Sequence, residues 1–549
     1  MLTIENAPVI VDKALADYYC SIEDYDKGLT LYKEVIPLLP ENEREPVISK
    51  YRDYALKAAA KLAKDKKWGE VLEIYRDIME YPNYPAIILK NVGLCLSVIK
   101  RGKEALDFFK AYQTYDPDSS DIYEFMGEVS SEQLNDLPSA IGYYEKALEK
   151  NNKNPLIYSQ LTHLYSTLYR DKERDKQLYY ANKSVELDPS NRITVKNAAF
   201  VNGKLGNIEK ADELYGRLML LNPNHSDLHS YGAYLVRNKR FKAGFQFLRH
   251  RFQKEDLDGL TFPKLFYSDK MWNGKSSLEG KNVLVYFEQG FGDTIMFCRY
   301  VKMLKGKCKS VKVIVQEGLL NLLKGSKIGA PVYSEKEANE LQLSFDVVVP
   351  MMDLPLILNT TPDTIPYAEG YLKVSKKKVN EYAKKYIKDK KKFKVGIAYE
   401  GSIHSKKTKR DVPLSYFYPL MQLPNVDLYL LQVGDVEGQL PKVPDYYNYI
   451  NLGTTFKNWE DTACAIENMD LVITSDNGVM NLAGALGKKT FGMFNSITEW
   501  RWFKTTGDDI AWYKSIRPFQ CASDAEWLPP MNEAIAEVKR LSEPILTVL

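Results

Sequence analysis

Three short runs in the second half of the chain carry residue types suited to proton transfer and anion binding. The run "FEQGFGDTIMF" offers Glu288, Gln289, Gly290, Gly292 and Asp293 where a strand should give way to a helix. Glycines there let backbone approach a ligand, and a carboxylate can take a proton from a hydroxyl. It is not a dinucleotide fingerprint. Asp293, Thr294 and Ile295 follow Gly290-Phe291-Gly292, so the third glycine is missing, and a carboxylate at the helix start would repel pyrophosphate. Asp293 therefore reads either as a polar group aimed into a cleft or as a helix N-cap, and its position alone favours the cap. The run "YEGSIHSKKTKRDVPL" gathers Lys406, Lys407, Lys409 and Arg410 beside Gly401 and Ser402. Those cations could neutralise a diphosphate leaving group, or form a solvated basic loop. The run "ITSDNGVMNLAGALG" ends a strand in Ser475 and Asp476 and opens a helix with Asn477 and Gly478, ahead of Asn481. A helix N-terminus at a strand end attracts anions.

Other chemistries are harder to build from this chain. Of its five histidines, His163, His225, His229 and His250 lie in the first half, which leaves His404 alone beside the three runs. A histidine triad or histidine metal centre is not expected. There is no G-x-x-x-x-G-K-[ST] loop, and the second half lacks an Asp-x-Asp pair to hold a divalent cation against phosphates. No metal and no cofactor is expected. Six cysteines without a C-x-x-C pair suggest neither a disulfide framework nor a thiolate metal site. A net charge of +3 over 549 residues is too small to imply a nucleic-acid partner. The start lacks a signal-peptide pattern, and no window approaches the ~18 apolar residues of a membrane span, so a cytoplasmic protein is expected.

The elements that must position these runs alternate between strand and helix. "NVLVYF", "SVKVIVQ" and "FDVVVPM" read as parallel strands of one unit; "KFKVGIAYEGS", "NVDLYLLQVG", "DLVITSDNG" and "KKTFGMF" read as strands of another. Ten lysines between Lys376 and Lys394 mark a solvated linker helix, with a phospholipid-facing role as the alternative. Two consecutive open α/β units leave a ligand cleft at the carboxyl ends of their strands.

The first half repeats itself. Ala105, Phe109, Tyr112 and Pro117 recur at the same offsets as Ala211, Tyr215, Leu218 and Pro223, and as Gly28, Tyr32, Val35 and Pro40. Val71, Tyr75 and Ile78, then Ala140, Tyr144 and Ala147, keep the first three positions, and Ala181, Ser184 and Pro189 form a weaker copy. Small and aromatic residues at offsets of four and three share a helical face, and the proline ends the helix. The spacing stretches to 43 between Tyr32 and Tyr75. This pattern resembles the tetratricopeptide repeat over residues 12–255. Such stacks present a concave groove that commonly binds extended peptides, although an array that only supports the second half is the alternative.

"MWNGKSSLEGKNVLVYFEQGFGDTIMFCRYV", "GIAYEGS" with its following Lys-Arg, and "DLVITSDNGVMNLAGALGKKTFGMF" together resemble the heptosyltransferase-like glycosyltransferases of family nine, in particular those joined to tetratricopeptide repeats. The layout is also similar to that of protein O-GlcNAc transferase. The resemblance implies an all-α repeat superhelix followed by a GT-B pair of Rossmann-like domains: repeats over 12–255, a connector over 256–280, an acceptor-side domain over 281–375, the basic linker helix over 376–394, and a nucleotide-sugar-binding domain over 395–549. It implies Asp293 as general base, Lys406 and Arg410 at the leaving diphosphate, Asp476 near the donor sugar, and Gly478 and Gly484 along the nucleotide-binding helix. Ser475, Asn477 and Asn481 join the donor-side set; Glu288, Gln289, Gly290 and Gly292 form the acceptor-side loop. Asn477 and Asn481 stand where the family usually has Thr and His. "EWRWFKTTGDDIAWYKSIRPFQC" also matches the repeat-linked subgroup, with its aromatics either lining the donor pocket or packing the closing helix. The expectation is an inverting, metal-independent transfer from a nucleotide sugar to a protein or glycan acceptor, with a protein partner in the repeat groove. The competing expectation is a non-catalytic repeat scaffold with a degenerate GT-B module.

Overall fold

The computed structural model describes residues 7–253, 263–387, 391–401, 409–435, 438–502 and 510–543. They form two compact units, Met1–Leu168 with Asp175–Val201, and Tyr169–Arg174 with Asn202–Leu549.

The first unit is built from helical hairpins, among them Ala7–Ser21 with Tyr25–Val35, Glu41–Lys64 with Trp68–Met79, Ile87–Val98 with Gly102–Gln113, and Ser120–Glu132 with Leu137–Lys150. The repeat signature is the packing signature. Gly93 and Gly127 sit where an added Cβ would meet the rings of Phe109 and Tyr144 at 2.4 and 2.9 Å, so small residues on one helix admit the aromatics of the next. The stretched spacing between Tyr32 and Tyr75 has a simple origin, because the helix Glu41–Lys64 runs to 24 residues where its counterparts have 12 to 15.

The second unit holds the helices Ile208–Leu218, His225–Arg237 and Phe241–Leu248, then two parallel sheets. The first sheet contains β1 (Asn282–Tyr286), β2 (Ser310–Ile314), β3 (Val332–Tyr333) and β4 (Val347–Pro350) in the order β3-β2-β1-β4. The second contains β5 (Phe393–Ala398), β6 (Val426–Leu430), β7 (Ile450–Asn451), β8 (Leu471–Ser475), β9 (Thr490–Phe494) and β10 (Ile516–Gln520) in the order β10-β9-β8-β5-β6-β7. Counted within each sheet the orders are 3-2-1-4 and 3-2-1-4-5-6, the doubly wound pattern whose reversal point opens a ligand crevice. Strands β4, β8 and β9 are buried along their whole length, as expected of strands covered on both faces.

Phe241, Phe245 and Leu248 of the last repeat helix share a core with β1 and with Ile295, Phe297 and Trp512. The repeats and the sheets therefore have no separate cores at this point. The lysine-rich segment forms the helix Lys376–Tyr386, capped by the Ser375 hydroxyl, which accepts from the Lys378 amide at 3.3 Å. It is more than a solvated linker. Its Tyr382 is buried and bonds the Thr455 hydroxyl at 2.8 Å, and Lys378 pairs with Glu460 at 2.6 Å. No helix among the described residues is long and apolar enough to cross a membrane.

Candidate functional site

A cavity of about 840 Å³ opens where the carboxyl ends of the two sheets converge. Its wall takes Gln289, Gly290, Gly292 and Asp293 from the segment after β1, Glu400 and Gly401 after β5, Asp476, Asn477 and Gly478 after β8, and Glu499, Arg501 and Trp502 after β9. Arg410 and Asn481 complete the sequence-derived residues found there. Lys406 lies outside the described residues.

Asp293 does not cap its helix. The helix runs Phe291–Phe297 with Gly290 at the cap position, so Asp293 falls inside the first turn. Its Oδ1 accepts from Arg501 Nε at 2.6 Å, while Arg501 Nη2 donates to Gln289 Oε1 at 2.8 Å. Gln289 has φ 59°, a left-handed conformation that non-glycine residues adopt at a cost, held where the chain turns from strand to helix. Gly292 makes a tight approach to the facing helix. A Cβ there would lie 3.1 Å from Asn481 Nδ2, on the facing helix Gly478–Leu486.

On the opposite wall Asn477, not Asp293, is the capping residue. Its side-chain oxygen accepts from the amides of Val479 at 2.9 Å and Met480 at 3.3 Å, and its Nδ2 donates to the Glu400 carbonyl at 3.3 Å, tying β8 to β5 at the reversal point. Two of the amides an anion would use are thus already engaged. Asn481 accepts from the Tyr513 hydroxyl at 3.0 Å and donates to the Asn477 carbonyl at 3.3 Å.

Arg410 Nη1 donates to Asp476 Oδ2 at 3.3 Å. Burial raises the Asp476 carboxyl above its ordinary pKa, and Glu499 adds to the rise while Arg410 and the Trp502 indole oppose it. Burial alone would lower the Arg410 pKa, but Asp476 and Glu499 outweigh it and keep the guanidinium charged.

Two sequence-derived residues do not reach the cavity wall. Glu288 points into the core, where its oxygens accept from Arg251 Nε and Nη2 at 2.7 and 2.8 Å and from the Met352 amide at 3.0 Å. The side chains of Glu288 and Arg251 are 0% and 4% exposed. Strand-end geometry turns successive side chains to opposite sides, so neighbouring Glu288 and Gln289 part company. Ser475 is fully buried and its Oγ accepts from Asn477 Nδ2 at 3.2 Å, supporting the cap from beneath.

The sequence did not assign roles to Arg501, Glu499, Glu400 or Trp459. Trp459 meets Phe291 at 5.5 Å between ring centroids, so one aromatic from each half closes an end of the cavity. Gly478 makes room for this indole, since a Cβ there would sit 2.6 Å from it. Trp512 packs instead, stacking on Phe241 at 6.0 Å and donating to the Arg501 carbonyl at 2.5 Å. Among the described residues no three His, Cys, Asp or Glu side chains are grouped to hold a metal ion.

The architecture and the cleft define a tetratricopeptide-type repeat array continued by two doubly wound sheets in the GT-B layout. No protein-family model matches the chain. Among curated proteins it is similar to Protein FlbA of Caulobacter vibrioides, 22% identical over 467 residues that cover 79% of this chain and 75% of FlbA. Among solved structures it is similar to a glycosyl transferase family 9 protein from Veillonella parvula, with 11% identity, TM-score 0.38, and coverage of 49% of this chain and 99% of the other. It is also similar to YrrB, described as a TPR protein with an unusual peptide-binding site, with 22% identity, TM-score 0.29, and coverage of 32% and 90%.

Proposed function

We propose that the protein is a glycosyltransferase that moves a sugar from a nucleotide-activated donor to a protein or glycan acceptor recruited in part by the repeats. One observation carries the reading: Asp293 from the first sheet and Arg410, Asp476 and the start of helix Gly478–Leu486 from the second line a single cavity at the carboxyl ends of both sheets. In this scheme Asp293 takes the proton of the acceptor hydroxyl, the freed oxygen attacks the anomeric carbon, and the bond from that carbon to the phosphate oxygen breaks with inversion. Arg410, with Lys406 four residues before it in the sequence, stabilises the departing nucleotide, so the scheme uses side-chain cations in place of a metal. Asp476 orients Arg410 beside the donor sugar. The aromatic pair Phe291–Trp459 offers apolar surface for the nucleotide base.

A second reading, a binding scaffold without turnover, draws support from Asn477, whose side chain occupies the helix amides itself. Incubation with a panel of nucleotide sugars, following donor hydrolysis and transfer in the wild type and in Asp293→Ala, separates the two. The enzymatic reading expects turnover that falls by about 10²–10⁴-fold in the variant, the usual range for losing a general base. Binding without turnover, indifferent to the substitution, refutes it in favour of the scaffold.

A further inference from the structure

The charges around the cavity do not yet suit a diphosphate. Its wall carries the carboxylates of Asp293, Glu400, Asp476 and Glu499 against the cations Lys457, Arg410 and Arg501, four against three among the described residues. Both guanidiniums are already paired, Arg410 with Asp476 at 3.3 Å and Arg501 with Asp293 at 2.6 Å. An entering dianion must displace a carboxylate from one of them, because a low-dielectric cleft strengthens repulsion as much as attraction.

The two pairs are not equivalent. Arg410 and Asp476 belong to the same half of the cleft, with the carboxylate buried and the guanidinium partly exposed. The Arg501–Asp293 pair instead bridges the halves, from the segment after β9 to the helix after β1. Arg501 faces the cleft with more than one partner: its backbone carbonyl accepts from Trp512 at 2.5 Å, its guanidinium lies over the Trp500 ring at 4.4 Å, its Nη2 donates to Gln289 Oε1 at 2.8 Å, and its Nη1 has Glu499 at 3.9 Å. A planar guanidinium with parallel donors is the side chain best matched to two phosphate oxygens.

We infer that Arg501 is a donor-diphosphate ligand, and that its pairing with Asp293 makes donor binding the event that frees the general base. This rests on the glycosyltransferase reading and adds an order to it. While Arg501 donates to Asp293 Oδ1, that oxygen is occupied; once the diphosphate takes the guanidinium, Oδ1 is open to an acceptor hydroxyl. The donor therefore binds first, and the base is withheld from water until it has.

The test is calorimetric titration of the full chain with UDP, GDP, ADP, CDP and dTDP in turn, on the wild type, Asp293→Asn, Arg501→Gln and the double variant, each checked by circular dichroism and thermal melting. The inference expects Asp293→Asn, which loosens the hold on Arg501 by removing the charge without changing shape, to bind the preferred nucleotide about fivefold more tightly or better. Arg501→Gln should bind more weakly, and adding Asp293→Asn to it should restore nothing. Equal or weaker binding by Asp293→Asn overturns the inference and leaves the enzymatic reading standing. A gain that survives in the double variant also overturns it, since removing a negative charge would then act without Arg501. If no nucleotide binds the wild type or Asp293→Asn, the inference and the reading fall together.

Discussion

Replacing Glu288 with glutamine should destabilise the second unit by about 3 kcal/mol, even though glutamine has the same shape and sits in a loop next to the cavity. Arg251 binds Glu288 through Nε and Nη2 at 2.7 and 2.8 Å, Asp353 through Nη2 at 2.9 Å, and the Leu248 carbonyl through Nη1 at 3.1 Å. Arg249 pairs with the other oxygen of Asp353. The cluster holds two arginines and two carboxylates and is neutral as a whole. Glu288→Gln leaves one uncompensated positive charge and turns an amide N–H toward Arg251, where a second acceptor had been. Breaking a buried pair from one side costs roughly 3–5 kcal/mol, and the one hydrogen bond that glutamine can keep sets the value near the lower end. For a unit of this size that corresponds to a fall of about 4 °C in melting temperature. Tryptophan fluorescence reports on it directly, since every tryptophan except Trp68 lies at or beyond residue 272. The double variant Arg251→Met/Glu288→Met removes both charges, and its loss should fall well short of the sum of the two single losses. A Glu288→Gln protein melting within a degree of the wild type, or strict additivity in the double variant, would refute the account of Glu288 as a buried counter-ion.

Three further substitutions have outcomes set by burial and packing. Lys204 lies beside Arg170 and Arg237, and burial together with these cations lowers its pKa from 10.5 to about 7. The unfolded chain then holds the proton more firmly between about pH 7 and 10.5, so this group's contribution to stability rises with pH across that window. Lys204→Met should therefore raise the melting temperature at pH 6, by an amount equivalent to roughly 2–4 kcal/mol, with the gain shrinking toward pH 10; melts at the two pH values check it. Gly484→Ala should cost about 1–3 kcal/mol, because its methyl would lie 2.4 Å from Cγ of the fully buried Tyr513, whereas Gly142→Ala, with nothing within 4 Å, should gain about 0.5–1 kcal/mol in chemical denaturation.

The strands that could be read from the chain were those with a long β-branched or apolar run: β1, β2, β4, β5, β6, β8 and β9. The three that could not are edge strands or short. β3 and β7 have two residues each, too few for any periodicity, and β10 carries Pro518, which argues against a strand unless it lies at a sheet edge, as β10 does. The repeats were legible because small and aromatic positions recur locally along the chain. Their merger with the sheets was not, because Phe241 and Phe245 find partners such as Trp512 hundreds of residues later.

Local rules also carried part of the cleft and misjudged another part for a definable reason. Asp293 and Asn477 both precede a helix in the sequence and both can cap. Asn477 stands immediately before the first helical residue and caps, while Asp293 lies three residues past the cap position and is free to reach across the cleft. The distinction depends on where each helix begins, which sequence places only to within a few residues. Once Asp293 is released from capping, its partner is decided by Arg501, 208 residues away, and nothing local announces that contact. Glu288 shows the same logic in reverse. It belongs to the same motif as Asp293, yet Arg251, at the end of the repeats, draws it into the core. The motif thus divides its two carboxylates, one fixing the loop to the repeat array and the other facing the cavity. A change in the last repeat that displaces Arg251 should accordingly be felt at Asp293 through the loop they share, without touching any residue of the cavity wall.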